Sequence, residues 1–182
     1  MKRLIPILLV MSVAGVTMAG INTDKALGPL ELYVYPDGTA EIVNTGDSPF
    51  TFDGYAIASS EGLIDSVAWT SIPQNVEAGM DPAIVGQTML QAFSWAEMAR
   101  TFELLSEAHL SSAATLQPDG RIPMGAAFPD GLNYGDLYWS PYYTLTYVDS
   151  ATQASYEGTL IPEPASLSLL GLGALALIRR RR

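Results

Sequence analysis

Short runs in which apolar and polar residues alternate, cut by Asp-Gly and Pro-Asp-Gly breaks, constrain this chain more than any other feature. Leu30, Leu32 and Val34 alternate with Glu31, Tyr33 and Tyr35, and after Pro36, Asp37 and Gly38 the chain resumes at 39–43. A period of two sets one row of side chains against a core, and an Asp-Gly pair accommodates a tight reversal, so this segment predicts a β-hairpin. Asn44, Thr45 and Gly46 mark the next turn. Phe50 and Phe52 then precede Asp53-Gly54, read as a break before a short strand at 55–58. Near the end of the domain, Tyr143, Leu145 and Tyr147 alternate with Thr144, Thr146 and Val148, residue types suited to a pleated, half-buried surface. Residues 149–152 reverse the chain before 153–160 returns with Tyr156, Gly158 and Leu160 in phase.

The middle of the chain is less regular. Ile64, Val67 and Trp69 predict a further buried segment, and 73–82 reads as a loop. Between 92 and 110 the apolar residues fit a helical side as well as a strand, and the preferred reading is helical turns at 94–100 followed by extended chain after Phe102. Beyond the turn at 117–120, residues 121–127 predict another strand, stopped by Pro129, Asp130 and Gly131. Many short strands without regular helix–strand alternation predict an all-β fold, an antiparallel β-sandwich of jelly-roll or immunoglobulin-like topology.

The two ends read differently. Lys2 and Arg3 precede an apolar stretch at 4–16, and Thr17, Met18 and Ala19 supply small residues for cleavage, so residues 1–19 read as a signal peptide. Residues 20–161 are then an exported domain, and 162–182 form a separate tail. The tail runs Pro162, Glu163, Pro164, an apolar stretch at 165–178, then Arg179, Arg180, Arg181 and Arg182. Arginines after an apolar run stay on the cytoplasmic side, because carrying them through hydrocarbon is costly. The chain has no cysteine, so the exported domain stands without a disulfide.

In the order of its three parts this tail resembles the sorting signal of PEP-CTERM proteins, a family of bacterial envelope and exported proteins. The resemblance implies that Pro162, Glu163 and Pro164 are recognised by an exosortase-like membrane enzyme, that 165–178 is a transient membrane helix, and that the four arginines are its cytoplasmic stop. It implies a route through the membrane to the cell envelope, cell surface or extracellular matrix, while signal peptidase is the partner expected from the cleavage residues at 17–19. The apolar stretch is 14 residues, about 21 Å of helix against about 30 Å of hydrocarbon. That length suits brief presentation to a processing enzyme better than permanent anchoring, the alternative being an ordinary retained anchor. More loosely, Asp53-Gly54-Tyr55, Trp69 and Ala127-Phe128 are similar to the all-β domains of such proteins in planctomycete-like bacteria, which implies no activity.

Composition narrows the function classes. Six of the nine basic residues lie in the terminal segments, leaving Lys25, Arg100 and Arg121 against 18 acidic residues in 20–161, a balance of −15. Such a surface repels phosphate backbones, so nucleic acid is not an expected partner. His109, the single histidine, stands near Glu107, Ser111 and Ser112, but neighbours in sequence do not make a base oriented on a hydroxyl. An ordinary surface or loop histidine is expected, and no enzyme. Asp47, Asp53, Asp65, Asp119, Asp130 and Asp136 lie near turns without the spacing of a calcium loop; a solvated acidic face is expected and no cofactor, calcium being the alternative. Tyr138, Trp139, Tyr142 and Tyr143 are the candidate carbohydrate-binding residues, since such rings combine apolar faces with polar tips. The sequence therefore favours a non-catalytic surface or matrix protein with a structural or adhesive role. A carbohydrate-binding protein of the envelope or exopolysaccharide is second.

Overall fold

The structure, a computed structural model, describes residues 26–130 and 143–162. The expected hairpin is present as β1 (Leu30–Val34) and β2 (Ala40–Asn44), paired antiparallel with Leu32 opposite Ile42. Leu30, Leu32 and Val34 are buried as the alternation requires. The reversal uses Gly38 at φ 80°, where its N–H donates to the Tyr35 carbonyl and its own carbonyl accepts from Phe128.

The chain continues through β3 (Phe50–Ser59), helix α1 (Ile72–Glu77), a 3-10 turn (Pro82–Val85), helix α2 (Met89–Ala92) and β4 (Trp95–Arg100). It ends with β5 (Leu104–His109), β6 (Ala114–Leu116), β7 (Arg121–Pro123), β8 (Tyr143–Asp149), β9 (Ser155–Gly158) and β10 (Leu160–Pro162). These strands form two sheets. The smaller has the order β10-β1-β2-β7, and the larger runs β4-β5-β3-β8-β9 with β6 also paired to β3. One apolar core is shared, with Leu30, Leu32 and Ile42 from the smaller sheet meeting Phe52, Ile57, Leu105 and Leu145 from the larger. Burying such side chains contributes roughly 1.5–3 kcal/mol each, and in a chain without disulfides this is the principal cohesion.

Several expectations need correcting. The fold is mostly antiparallel but mixed, because β10 runs parallel to β1. Asp53-Gly54 is no break: β3 passes straight through it, with a bulge between Phe52 and Gly54 that leaves Asp53 outside the β8 ladder. A bulge absorbs one extra residue where partners on both sides hold the strand in place. The helical turns read at 94–100 are instead the edge strand β4, bulged between Glu97 and Ala99, and the bulge breaks the alternation and imitates a helical spacing. Helix occurs within 73–82, where a loop was expected. Ser71 accepts from the Gln74 N–H and Gln74 reaches back to the Ser71 N–H, a reciprocal cap that starts α1. Ile64 and Trp69 are buried without forming a strand, and Val67 between them is exposed.

The segment read as a signal peptide, 1–19, and the apolar stretch at 165–178 lie outside the described residues, as does everything beyond Pro162. Among the described residues, no helix is long and apolar enough to cross a membrane.

A side chain on Gly38 would drive its Cβ into the Phe128 carbonyl oxygen. Gly38→Ala is therefore expected to destabilise the domain by about 2–4 kcal/mol, from the left-handed backbone and the clash together. Denaturant unfolding followed by tryptophan fluorescence measures this, and an unchanged midpoint would contradict the β1–β2 turn as described.

Candidate functional site: the sheet edge that carries the tail

The last described strand places the start of the tail inside the fold. Strand β10 sets Leu160 beside Leu32, Ile161 beside Tyr33 and Pro162 beside Val34, and the Leu32 N–H donates to the Thr159 carbonyl at 2.9 Å. Outermost in its sheet among the described residues, β10 tolerates a proline, whose missing N–H takes nothing from the ladder with β1. The chain reaches this edge directly from β9, so only Thr159 separates the two sheets along the sequence. Glu163, Pro164, Arg179, Arg180, Arg181 and Arg182 lie outside the described residues.

Of the aromatic candidates, Tyr138, Trp139 and Tyr142 also lie outside the described residues. Tyr143 is buried in β8, its ring edge-on to Phe128 with centroids 5.0 Å apart, so it presents no open face to a sugar. Trp69 and Trp95 are core residues too: Arg100 lies 4.6 Å over the Trp69 ring, and the Trp95 indole N–H donates to Gln87.

His109 is neither on the surface nor in a loop. It is buried in β5, with Nε2 2.8 Å from the Gln91 carbonyl and Nδ1 accepting from the Ser112 N–H at 2.8 Å. These partners assign the proton to Nε2. Ser111 and Ser112 offer His109 their backbone N–H groups, while the Ser112 hydroxyl faces Gln91. The imagined serine–histidine–acid arrangement is not assembled, and the ring instead ties β5 to α2. Among the described residues no three His, Asp or Glu side chains converge as a metal site. Asp65 is taken up by the Val67 and Ala68 N–H groups and Asp53 accepts from Gln153, while Asp136 lies outside the described residues.

The acidic residue that sequence reasoning missed is Glu107. It is fully buried on β5, accepts from the Tyr55 hydroxyl, and takes the Ile72 N–H at the start of α1 on both oxygens at 3.1 Å. Glu97 stands opposite it on β4. Arg100 pairs with Glu97 at 2.8 Å and also donates to the Ser66 carbonyl and Gln74, fastening β4 to the 66–74 segment. Burial pushes the Glu107 carboxyl up to about 7 despite the opposing pull of its two donors. Tyr55 is raised as well, by burial and then by Glu107. Alternation from Leu105 puts position 107 on the same inward face, but nothing local shows that a carboxylate finds partners there, because the Ile72 N–H is brought across by α1 from elsewhere in the chain.

With the edge strand in view, the comparisons with known proteins concern its end of the chain. Residues 160–182 match the PEP-CTERM protein-sorting motif. No curated protein and no solved structure matches the chain. The chain is thus a PEP-CTERM-bearing exported protein, and its motif implies membrane-associated sorting by an exosortase-like enzyme before it reaches the surface. The matched segment begins at Leu160, the first residue of β10, so the PEP-CTERM motif and the folded sheet overlap by a whole strand.

Glu107 makes stability depend on pH. Its folded pKa lies above the unfolded value of 4.5, so its contribution is complete below about pH 4.5 and is lost as pH rises to about 7. The loss is on the order of 3 kcal/mol. Glu107→Gln, which mimics the protonated acid, is expected to remove this slope; parallel melting curves for the two proteins between pH 4.5 and 7.5 would contradict the assignment.

Proposed function

We propose that the chain is an exported, non-enzymatic surface or extracellular-matrix protein whose β domain has a structural or adhesive role, delivered by transient tethering and removal of its PEP-CTERM tail. The two sheets act in this reading as the layers of a sandwich-like body. The observation that carries the proposal is the overlap of the motif with β10, because the sheet edge itself delivers the processing segment to the membrane. Two further features support it. The lone histidine is committed to backbone partners, and the buried acid is enclosed by Tyr55 and the start of α1, so neither faces an open site. Signal peptidase and an exosortase-like enzyme are the processing partners; surface proteins or exopolysaccharide are the partners at the destination.

In cells that contain an enzyme processing this motif, the surface-exposed protein is expected to have lost Arg179, Arg180, Arg181 and Arg182. Mass spectrometry of its C-terminal peptide reads this directly, and an intact arginine cluster on surface protein would replace transient tethering by permanent anchoring. Polysaccharide pull-down with the chain and with Trp139→Ala is expected to show no difference. Retention that the substitution abolishes would shift the reading to carbohydrate binding.

A further inference from the structure

Strand pairing fixes which end of the domain the tail leaves from. Pro162 lies beside Val34, and Val34 leads into the β1–β2 turn, where Gly38 accepts from the Phe128 N–H. The adjoining Ala127 carbonyl accepts from the Asp65 N–H, and the Phe102 carbonyl accepts from the Ile64 N–H. This chain of contacts places the 59–69 segment and the β4–β5 turn at 101–103 at the tail's end of the molecule. The opposite end carries α2, which leads into Trp95 where that residue pairs with His109, at the far end of the ladder from the Arg100–Leu105 pair.

Three large apolar side chains stand exposed at the tail end: Leu63 at 40 %, Val67 at 83 % and Phe102 at 63 %. Only Glu163 and Pro164 separate Pro162 from the apolar stretch that begins at Ala165. Three Cα-to-Cα steps span at most about 11 Å, and the headgroup layer beyond each face of the hydrocarbon core is itself about 5–8 Å deep. With the tail in the bilayer, this end of the domain is therefore held against the headgroups.

The geometry points to a membrane-docking surface formed by Leu63, Val67 and Phe102, whose occupant is the interface of a zwitterionic bilayer while the tail is inserted. The inference rests on the tethered state proposed above. Exposed Glu61, Asp65 and Glu103 lie on the same loops, so the surface disfavours anionic lipid and suits headgroups of no net charge. The contact adds apolar area to the membrane hold of a short tail and fixes the orientation of the domain as its motif meets the processing enzyme.

The absence of cysteine permits a clean test. The chain is exported by a host lacking an enzyme for the motif, so that the tail stays on, and is returned to phosphatidylcholine vesicles. An environment-sensitive fluorophore is attached in turn to Val67→Cys, Phe102→Cys and Leu90→Cys, the last being an exposed position on α2 at the opposite end. In vesicles recovered by flotation, the probes at 67 and 102 are expected to lose about half of their emission to quencher-bearing lipid and the probe at 90 almost none. Flotation with equal or reversed quenching overturns the docking surface and leaves tethering intact. Failure of the chain to float overturns both. Substituting phosphatidylglycerol for half of the lipid is expected to weaken quenching at 67 and 102, and a strengthening would overturn the preference for uncharged headgroups.

Discussion

The parallel ladder between β1 and β10 is the constraint on which the rest of this molecule turns. Its three residues on β10 join the last strand of the larger sheet to the edge of the smaller one, and the next residues in sequence belong to the sorting tail. A parallel partner requires a long crossover, and here almost the whole domain lies between β1 and β10. The edge that presents the tail therefore rests on a pairing between segments at opposite ends of the domain sequence, with Leu32 and Val34 buried in the core that both sheets share. Folding and presentation of the address are coupled through one short row of hydrogen bonds.

Much of this fold was legible where a strand is straight and half-buried. The β1–β2 hairpin and the β8–β9 return follow from alternation plus a turn, because each side chain there has one clear preference between core and water. The departures have local causes. Asp53-Gly54 carries turn chemistry but is held in β3 by partners on both sides, and β4 lost its alternation to a bulge on an edge strand. The cap that starts α1 joins Ser71, two residues ahead of the segment read as a loop, to Gln74 inside it. The parallel β10 had no local signature, since its partner lies more than a hundred residues earlier in the chain.

The site was legible in a different proportion. The tail could be recognised because its signal is an order of chemical types, independent of folding, and the match over 160–182 bears out the motif itself. Glu107 and His109 could not be assigned, because their roles depend on which backbone groups face them. His109 takes Gln91 and Ser112, and Glu107 takes Ile72, each supplied by a neighbouring segment of the chain. In a domain with so many carboxylates, full burial sets Glu107 apart from those that stand at the surface.

Proline at position 162 has a second effect that concerns neighbours. Alternate residues of a parallel ladder turn their backbone groups outward, and with the Thr159 carbonyl turned towards β1 the backbone of residues 160 and 162 faces away. The outer rim of β10 thus lacks a donor at Pro162, where an adjacent copy would need one to extend the sheet. At high local concentration Pro162 therefore works against edge-to-edge extension of this sheet, for as long as it remains on the protein.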